Sequence, residues 1–304
     1  MSMRYAAGFI SAFYNPLKNP NAPTIGTASA VSATSLSIAF TAPSNVGGSA
    51  ITSYIATAKR TSDGVLFSAS GASSPITITG LTSVPFTVTV AALNSYGSSA
   101  LSAESNSVTP ALLIGSALGG GYFAGQIGVS GVATHNLIVG PVASTQTQLQ
   151  WKIVATSTTG TSSNINGPAN SAAMNDISHP AAQFCEGLSV GGFSDWYMPA
   201  KNELEICYFN LKLSTSSNNT ISGINPNAVP ARASNYTSGN PAQTSAAIFR
   251  DPSGAERFQA APYWSSTEST STAAWKQNLD YGYQSNYSSK TGSYTIRAIR
   301  RVAV

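Results

Sequence analysis

Charge is the scarcest property of this sequence. Of 304 residues only 9% are Asp, Glu, Lys or Arg, against a usual share of about 25%. Ser, Thr, Asn and Gln stand where charges normally would. The apolar share is 42%, which is enough to bury cores and excludes a disordered chain, and the length allows two or three domains. Surfaces of small polar and β-branched residues suit strands and turns, and are usual in all-β extracellular or virion proteins. The few basic residues are scattered apart from Arg297, Arg300 and Arg301, a trio that reads as a solvated chain end. No basic stripe is interleaved with aromatics, so nucleic-acid binding is not expected.

Long apolar runs are also missing. None approaches the ~20 residues that cross a bilayer, so no membrane insertion is expected. Residues 5–13 are apolar but broken by Gly8, and Tyr14-Asn15-Pro16 follows without a small-residue cleavage site. That stretch is a poor secretory signal and points to assembly in a cytoplasm. Cysteine is limited to Cys185 and Cys207. Two thiols make no disulfide framework and cytoplasmic assembly favours reduced ones, although pairing stays open if their segments pack together. Histidine is limited to His135 and His179. Neither stands beside a nucleophile motif, and with the cysteines they lack zinc-site spacing. No catalytic residue, metal or cofactor is therefore expected.

What is present falls into three stretches. Residues 1–22 form an irregular leader whose X-Pro steps and asparagines favour an extended arm. Its apolar side chains, Tyr5, Phe9, Ile10, Phe13 and Tyr14, have too little chain around them to bury themselves. They either dock on another subunit or pack back on the following domain. Residues 23–110 alternate with period two, as in Leu36, Ile38 and Phe40 or Phe86, Val88 and Val90. Turn signals at residues 43–48, 63–64 and 94–97 separate the strands, giving a seven-stranded β-sandwich. From residue 111 to 304 the pattern mixes. A glycine-rich strand begins near Gly119 and a second runs through His135. A helix over about 167–188 is kinked or restarted by Pro180, and another opens at Pro199-Ala200-Lys201. Residues 214–236 read as a long polar surface loop, followed by short strands. The fold class is mainly β with a smaller α+β part.

The polar segment 275–294 is rich in Tyr, Asn, Ser and Gly, the residues that binding loops favour. Trp275, Gln277, Asn278, Asp280, Tyr281, Tyr283, Gln284, Asn286, Tyr287 and Tyr294 are its candidate receptor contacts: aromatic faces stack on sugar rings, and Asn, Gln and Asp bond hydroxyls. The alternative is an ordinary polar hairpin whose tyrosines pack against neighbours.

Two resemblances add to this reading. Thr41-Ala42-Pro43 with residues 47–54, Gly80-Leu81-Thr82, residues 88–97 and Ser105-Asn106-Ser107-Val108-Thr109-Pro110 resemble the B–C region and the E, F and G strands of a bacterial or phage fibronectin type III domain. It departs from that family in having Phe86 near the tyrosine corner and no tryptophan on strand B. Gly192-Phe193-Ser194-Asp195-Trp196-Tyr197-Met198-Pro199 with Asn202-Glu203-Leu204, Tyr263-Trp264-Ser265-Ser266-Thr267-Glu268 and Ile296-Arg297-Ala298-Ile299-Arg300 resemble C-type-lectin-like domains of bacteria and phages related to the Lcl collagen-binding adhesin. The resemblance implies that Trp196, Trp264 and the Arg-Ala-Ile-Arg segment are scaffold while the surface between them varies. The Glu-Pro-Asn and Trp-Asn-Asp motifs of calcium-binding lectins are absent, so Asp195, Glu203 and Glu268 are read as capping and surface residues. Together the two resemblances imply a tailed-phage virion protein. Its expected partners are other virion proteins through the arm, further copies of itself, and a host-surface glycan or protein. The runner-up role is a capsid or tail decoration protein.

Overall fold

A computed structural model describes residues 17–304. The arm side chains Tyr5, Phe9, Ile10, Phe13 and Tyr14 lie outside the described residues. The chain divides into two compact units, Met1–Leu113 and Ile114–Val304.

In the first unit the strands are β1 (Thr24–Ser32), β2 (Ser35–Thr41), β3 (Ile51–Arg60), β4 (Leu66–Gly71), β5 (Ile76–Thr79), β6 (Phe86–Asn94) and β7 (Gly97–Ser98). They form sheets ordered β1-β2-β5 and β4-β3-β6-β7, the three-against-four arrangement of a fibronectin type III sandwich. Alternation sends Leu36, Ile38, Phe40, Ile76, Ile78, Phe86, Val88 and Val90 into one core. Phe86 holds its corner by packing edge-on to Phe67 at 5.8 Å.

Two expectations need correction here. Gly80-Leu81-Thr82 is not a strand; the strand ends at Thr79, and Leu81 is buried beyond it. The last strand is not regular either. Ser99, Ser102 and Ser105 donate their N–H groups to the carbonyls of Ala92, Val90 and Val88, and their hydroxyls accept those residues' N–H groups at 2.9–3.0 Å. Three residues of this segment run against two of β6, so a regular ladder cannot form and hydroxyls stand in for carbonyls. The described end of the leader, from residue 17, lies against the first unit. Lys18 N–H bonds Gly47 O at 2.9 Å, and Asn21 N–H bonds Asn45 O at 3.0 Å. Gly47 is at φ +75°, and a Cβ there would lie 1.9 Å from Lys18 O, so only glycine lets the chain pass.

The second unit holds β8 (Ala117–Leu118), β9 (Gly121–Val129), β10 (Val132–Val139), α1 (Val142–Thr145), β11 (Gln146–Gln150), α2 (Gly167–Ala172), α3 (Pro180–Glu186) and α4 (Lys201–Leu211). These are followed by β12 (Ala228–Val229), β13 (Pro262–Glu268), β14 (Ala273–Asn278), β15 (Gln284–Ser289), β16 (Ser293–Arg297) and β17 (Ile299–Ala303). One sheet runs β12-β9-β10-β17 with β8 beside β9, and the other runs β11-β16-β13-β14-β15. The helix expected over 167–188 is two helices: the first ends at Ala172, where the Ala173 N–H caps it on Ala169 O, and Pro180 opens the second at its first turn. No described helix is long and apolar enough to cross a membrane.

Neighbours on β13 point into different cores. Trp264 joins Trp151, Trp196, Met174, Met198 and Ile296, while Tyr263 joins Tyr208, Leu211, Phe249, Phe258 and Ile299. Trp196 and Trp264 are thus scaffold, as is Trp151, whose indole N–H bonds Ser265 O at 2.9 Å. Cys185 and Cys207 are free and sit in separate cores. Burial pushes both thiols up, Cys207 to about 12, which keeps them protonated and unreactive.

The arginine trio is not a solvated chain end. Arg297 is buried, donating to Gly140 O at 2.8 Å and to Glu256 at 2.7 Å. Arg300 grips Asp195 with two bonds of 2.7 and 2.9 Å, and Arg301 donates to Glu203 at 2.6 Å. A buried guanidinium requires acceptors on several sides, and β16 and β17 carry these side chains into such surroundings. Glu203 caps α4 as expected, but it is not a surface residue. It is wholly buried, accepting from Ala200 N–H at 2.8 Å and Tyr197 hydroxyl at 2.6 Å. Glu268 is bonded to Lys290 at 2.9 Å.

Candidate binding face

The candidate contacts are carried by β14, the turn after it, β15 and β16. Asn278 builds the turn: its side-chain oxygen accepts Asp280 N–H at 2.9 Å and its backbone N–H bonds Tyr283 O at 2.9 Å. Gly282 lies at φ +79°, and a Cβ there would sit 2.4 Å from the Tyr208 ring. The turn can therefore press onto the core and direct Tyr281 outward. A neighbouring loop buttresses it, with Asn219 N–H bonding Tyr281 O at 2.7 Å and Gln284 N–H bonding the Ser222 hydroxyl at 3.0 Å.

The ten residues do not make one face. Successive side chains on a strand point to opposite sides. Trp275 turns toward α4, where the Lys201 ammonium lies 4.4 Å from its ring centre. Lys276 turns the other way and covers the Tyr294 ring at 3.9 Å. Tyr294 itself packs edge-on to Trp264 at 4.7 Å, and its strand is separated from β15 by two others, β13 and β14. It is a packing residue. Gln277 is a second correction: only 1% exposed, it donates to the Tyr236 hydroxyl at 3.2 Å and Gly282 O at 3.3 Å.

What remains outward is clear. Tyr287 is 83% exposed and Tyr281 is 38% exposed; Trp275, Asn278, Asp280, Tyr283, Gln284 and Asn286 are half-buried. Tyr287 stands on edge strand β15 where Lys276 faces Ser285 and Ala274 faces Ser288. Two residues, Asn286 and Tyr287, thus oppose Trp275 alone, forming a β-bulge that re-aims side chains at a sheet edge. Sequence reasoning missed Ile221, 71% exposed on the buttressing loop. An isoleucine inside the polar stretch 214–236 was the signal that could have marked it. That stretch is not a bare surface loop either, since Asn218, Ser222, Asn225 and Tyr236 are buried.

Other titratable groups form two clusters. His179 bonds Asp176 at 2.9 Å through Nδ1 and the Thr158 hydroxyl at 2.9 Å through Nε2. This has the order of a proton relay, but His179 is buried and Thr158 already accepts a Lys152 ammonium bond at 2.9 Å. The chain braces the 152–179 segment. Bonds from the Ser178 hydroxyl and from His179 hold the Asp176 carboxyl down at about 2. A cavity of about 550 Å³ gathers His135, Glu186, Asp195, Tyr197 and Arg301. Burial and the nearby Arg301 charge lower the His135 pKa, and no Ser, Thr or Cys lines the cavity. Among the described residues, no three His, Cys, Asp or Glu side chains gather as a metal site would require.

Comparison with known proteins adds the following. A family model described as the Lcl C-terminal domain matches residues 140–300. No curated protein matches. A titin structure is 26% identical over 31% of this chain and 32% of its own, with a TM-score of 0.29, so this chain spans about a third of that relative's length. The FN5 domain of Drosophila Lar is 22% identical over 30% of this chain and 97% of its own, at TM-score 0.25. A human fourth FNIII domain is 22% identical over 37% and 96%, at TM-score 0.28.

Proposed function

This chain belongs to the family of the Lcl C-terminal domain, an adhesin-like family, and from that premise we propose that it is a non-enzymatic adhesion protein of a tailed-phage particle. In this reading the second unit is C-type-lectin-like and binds a glycan or protein on the host surface. The fibronectin-like unit is its spacer, and residues 1–22 join it to other virion proteins. Several copies act together, and multivalency raises avidity by ~10²–10⁴ even where each site is weak. The protein is assembled in the host cytoplasm and works on the virion.

One observation carries this reading. In a unit whose Trp151, Trp196 and Trp264 are wholly buried, Tyr281 and Tyr287 are left outward on a turn and a bulged edge. Large amphipathic rings held by a rigid scaffold give contact area at low entropic cost. The test is binding of the full chain to host cells, compared with a folded Tyr281→Ala/Tyr287→Ala variant. Saturable binding that the variant loses supports the reading. Undiminished binding by the variant moves the contact elsewhere. No binding even from a multivalent display leaves the decoration role.

A further inference from the structure

A second cavity, of about 540 Å³, opens beside the tyrosine turn and shares Asp280 with it. Its polar lining comes from separate stretches: Gln146 at the start of β11, Ser214 after α4, Asp251, Arg257 and Gln259 before β13, and Asp280 in the turn. Several of these side chains have bonding capacity left over. Asp280 accepts from the Ser214 hydroxyl at 2.9 Å through one oxygen, and the other has no partner among the described residues. Gln146 accepts from the Tyr263 hydroxyl at 2.9 Å, which turns its amide NH₂ away from that bond. Arg257 meets Asp251 at 3.3 Å through Nε and donates through Nη1 to Gly254 O at 3.1 Å, leaving one guanidinium nitrogen and one carboxylate oxygen without a partner among the described residues. The Gln259 amide makes no bond within the described residues.

We propose that this cavity is a metal-independent saccharide subsite that takes one or two neutral sugar rings of a surface glycan. The inference rests on the adhesion reading and names the ligand class of the same region. The lining alternates acceptors, Asp251 and Asp280, with donors, Gln146, Arg257 and Gln259. Adjacent sugar hydroxyls need that alternation, because each both donates and accepts. Two carboxylates against one guanidinium disfavour an anion. A cation is disfavoured because the two carboxylates have no third acid beside them. A purely apolar ligand would leave these polar heads unpaired. The volume falls within the usual range for small-ligand sites, about 300–1,000 Å³.

The experiment uses the full chain and saturation-transfer NMR with glucose, galactose, N-acetylglucosamine and rhamnose as probes, in EDTA. The expected result is transfer to at least one sugar that persists in EDTA and weakens at least tenfold in Arg257→Ala/Gln259→Ala. Gln259→Ala alone serves if the double variant does not fold, since that side chain makes no internal bond. No transfer to any sugar overturns the proposal, as does transfer that EDTA abolishes or that both variants retain. The adhesion reading fails separately. If the tyrosine variant loses host-cell binding while no sugar binds, the receptor contact stands and only the saccharide subsite falls.

Discussion

Tyr287 and Trp275 are neighbours across a bulge in which Asn286 and Tyr287 together oppose the single residue Trp275. The two aromatics have different fates. Tyr287 projects into solvent, while Trp275 lies half-buried with the Lys201 ammonium 4.4 Å from its ring centre. Tyr287→Ala should change stability by no more than about 0.5 kcal/mol and lower host-cell affinity by about tenfold or more. Thermal melts and binding isotherms of the same preparation check this; a large drop in melting temperature would show that Tyr287 is a packing residue.

Trp275→Ala should behave differently. It removes aromatic area and a cation–π contact worth about 0.5–1 kcal/mol at such a site. Stability should fall by about 1–3 kcal/mol, measured by urea denaturation, with any loss of binding arising on top of that.

Gln277 separates packing from contact most sharply. It looked like a hydrogen-bonding receptor residue, yet it lies inside, bonded to Tyr236 and Gly282. Gln277→Ala should destabilise by about 1–3 kcal/mol, since it opens a void and removes buried bonds. Binding measured well below the melting temperature should be unaltered. A folded Gln277→Ala protein with lost binding would restore this residue to the site.

These contrasts show what the sequence could reveal. Period two was legible wherever one strand face is buried, as in Leu36, Ile38 and Phe40, and so was the core role of Trp196 and Trp264. The segment 275–294 was legible as a sheet edge and turn, but not residue by residue. Polar residues alternate in it without an apolar stripe, so nothing local says that Gln277 faces in and Tyr287 out. The bulge that decides this depends on pairing with β14. Arg297 and Arg300 are buried scaffold, as the resemblance implies, but composition and spacing alone left the Arg297, Arg300 and Arg301 side chains opaque. Their partners Glu256, Asp195 and Glu203 lie far away along the chain, and charge alone suggests solvent.

In the first unit, Ser102 supplies the acceptor for the buried Val90 N–H at 2.9 Å. Ser102→Ala leaves that N–H without a partner, which costs about 1–3 kcal/mol. All four tryptophans lie at or beyond residue 151, so tryptophan fluorescence reports the second unit. Calorimetry of Ser102→Ala should show a transition lowered in temperature, and the fluorescence transition should stay in place. An unchanged calorimetric trace would mean that water replaces the hydroxyl.

The Glu268–Lys290 pair makes the second unit sensitive to acid. Lys290 is wholly buried, 2.9 Å from Glu268 and bonded to the carbonyls of Thr156 and Ser271 at 2.8 and 2.9 Å. Burial pushes the Glu268 carboxyl up, but bonds from Lys290, Thr158 N–H and Thr161 outweigh it, and its pKa falls below the ordinary 4.5. A carboxyl lowered on folding binds fewer protons in the folded state than in the unfolded chain. Its stabilisation is therefore complete above pH 4.5 and fades as pH falls through the lowered folded value. Lys290 is also lowered from 10.5, chiefly by burial, against the opposing pull of Glu268. Glu268→Gln should cost about 3 kcal/mol at pH 7, because it leaves a buried ammonium with only neutral oxygens. The gap between the two proteins should narrow as pH drops below 4.5, where wild type loses the same charge. Urea denaturation at a series of pH values measures it; a gap that stays constant into acid would mean that the pair contributes nothing through its charge.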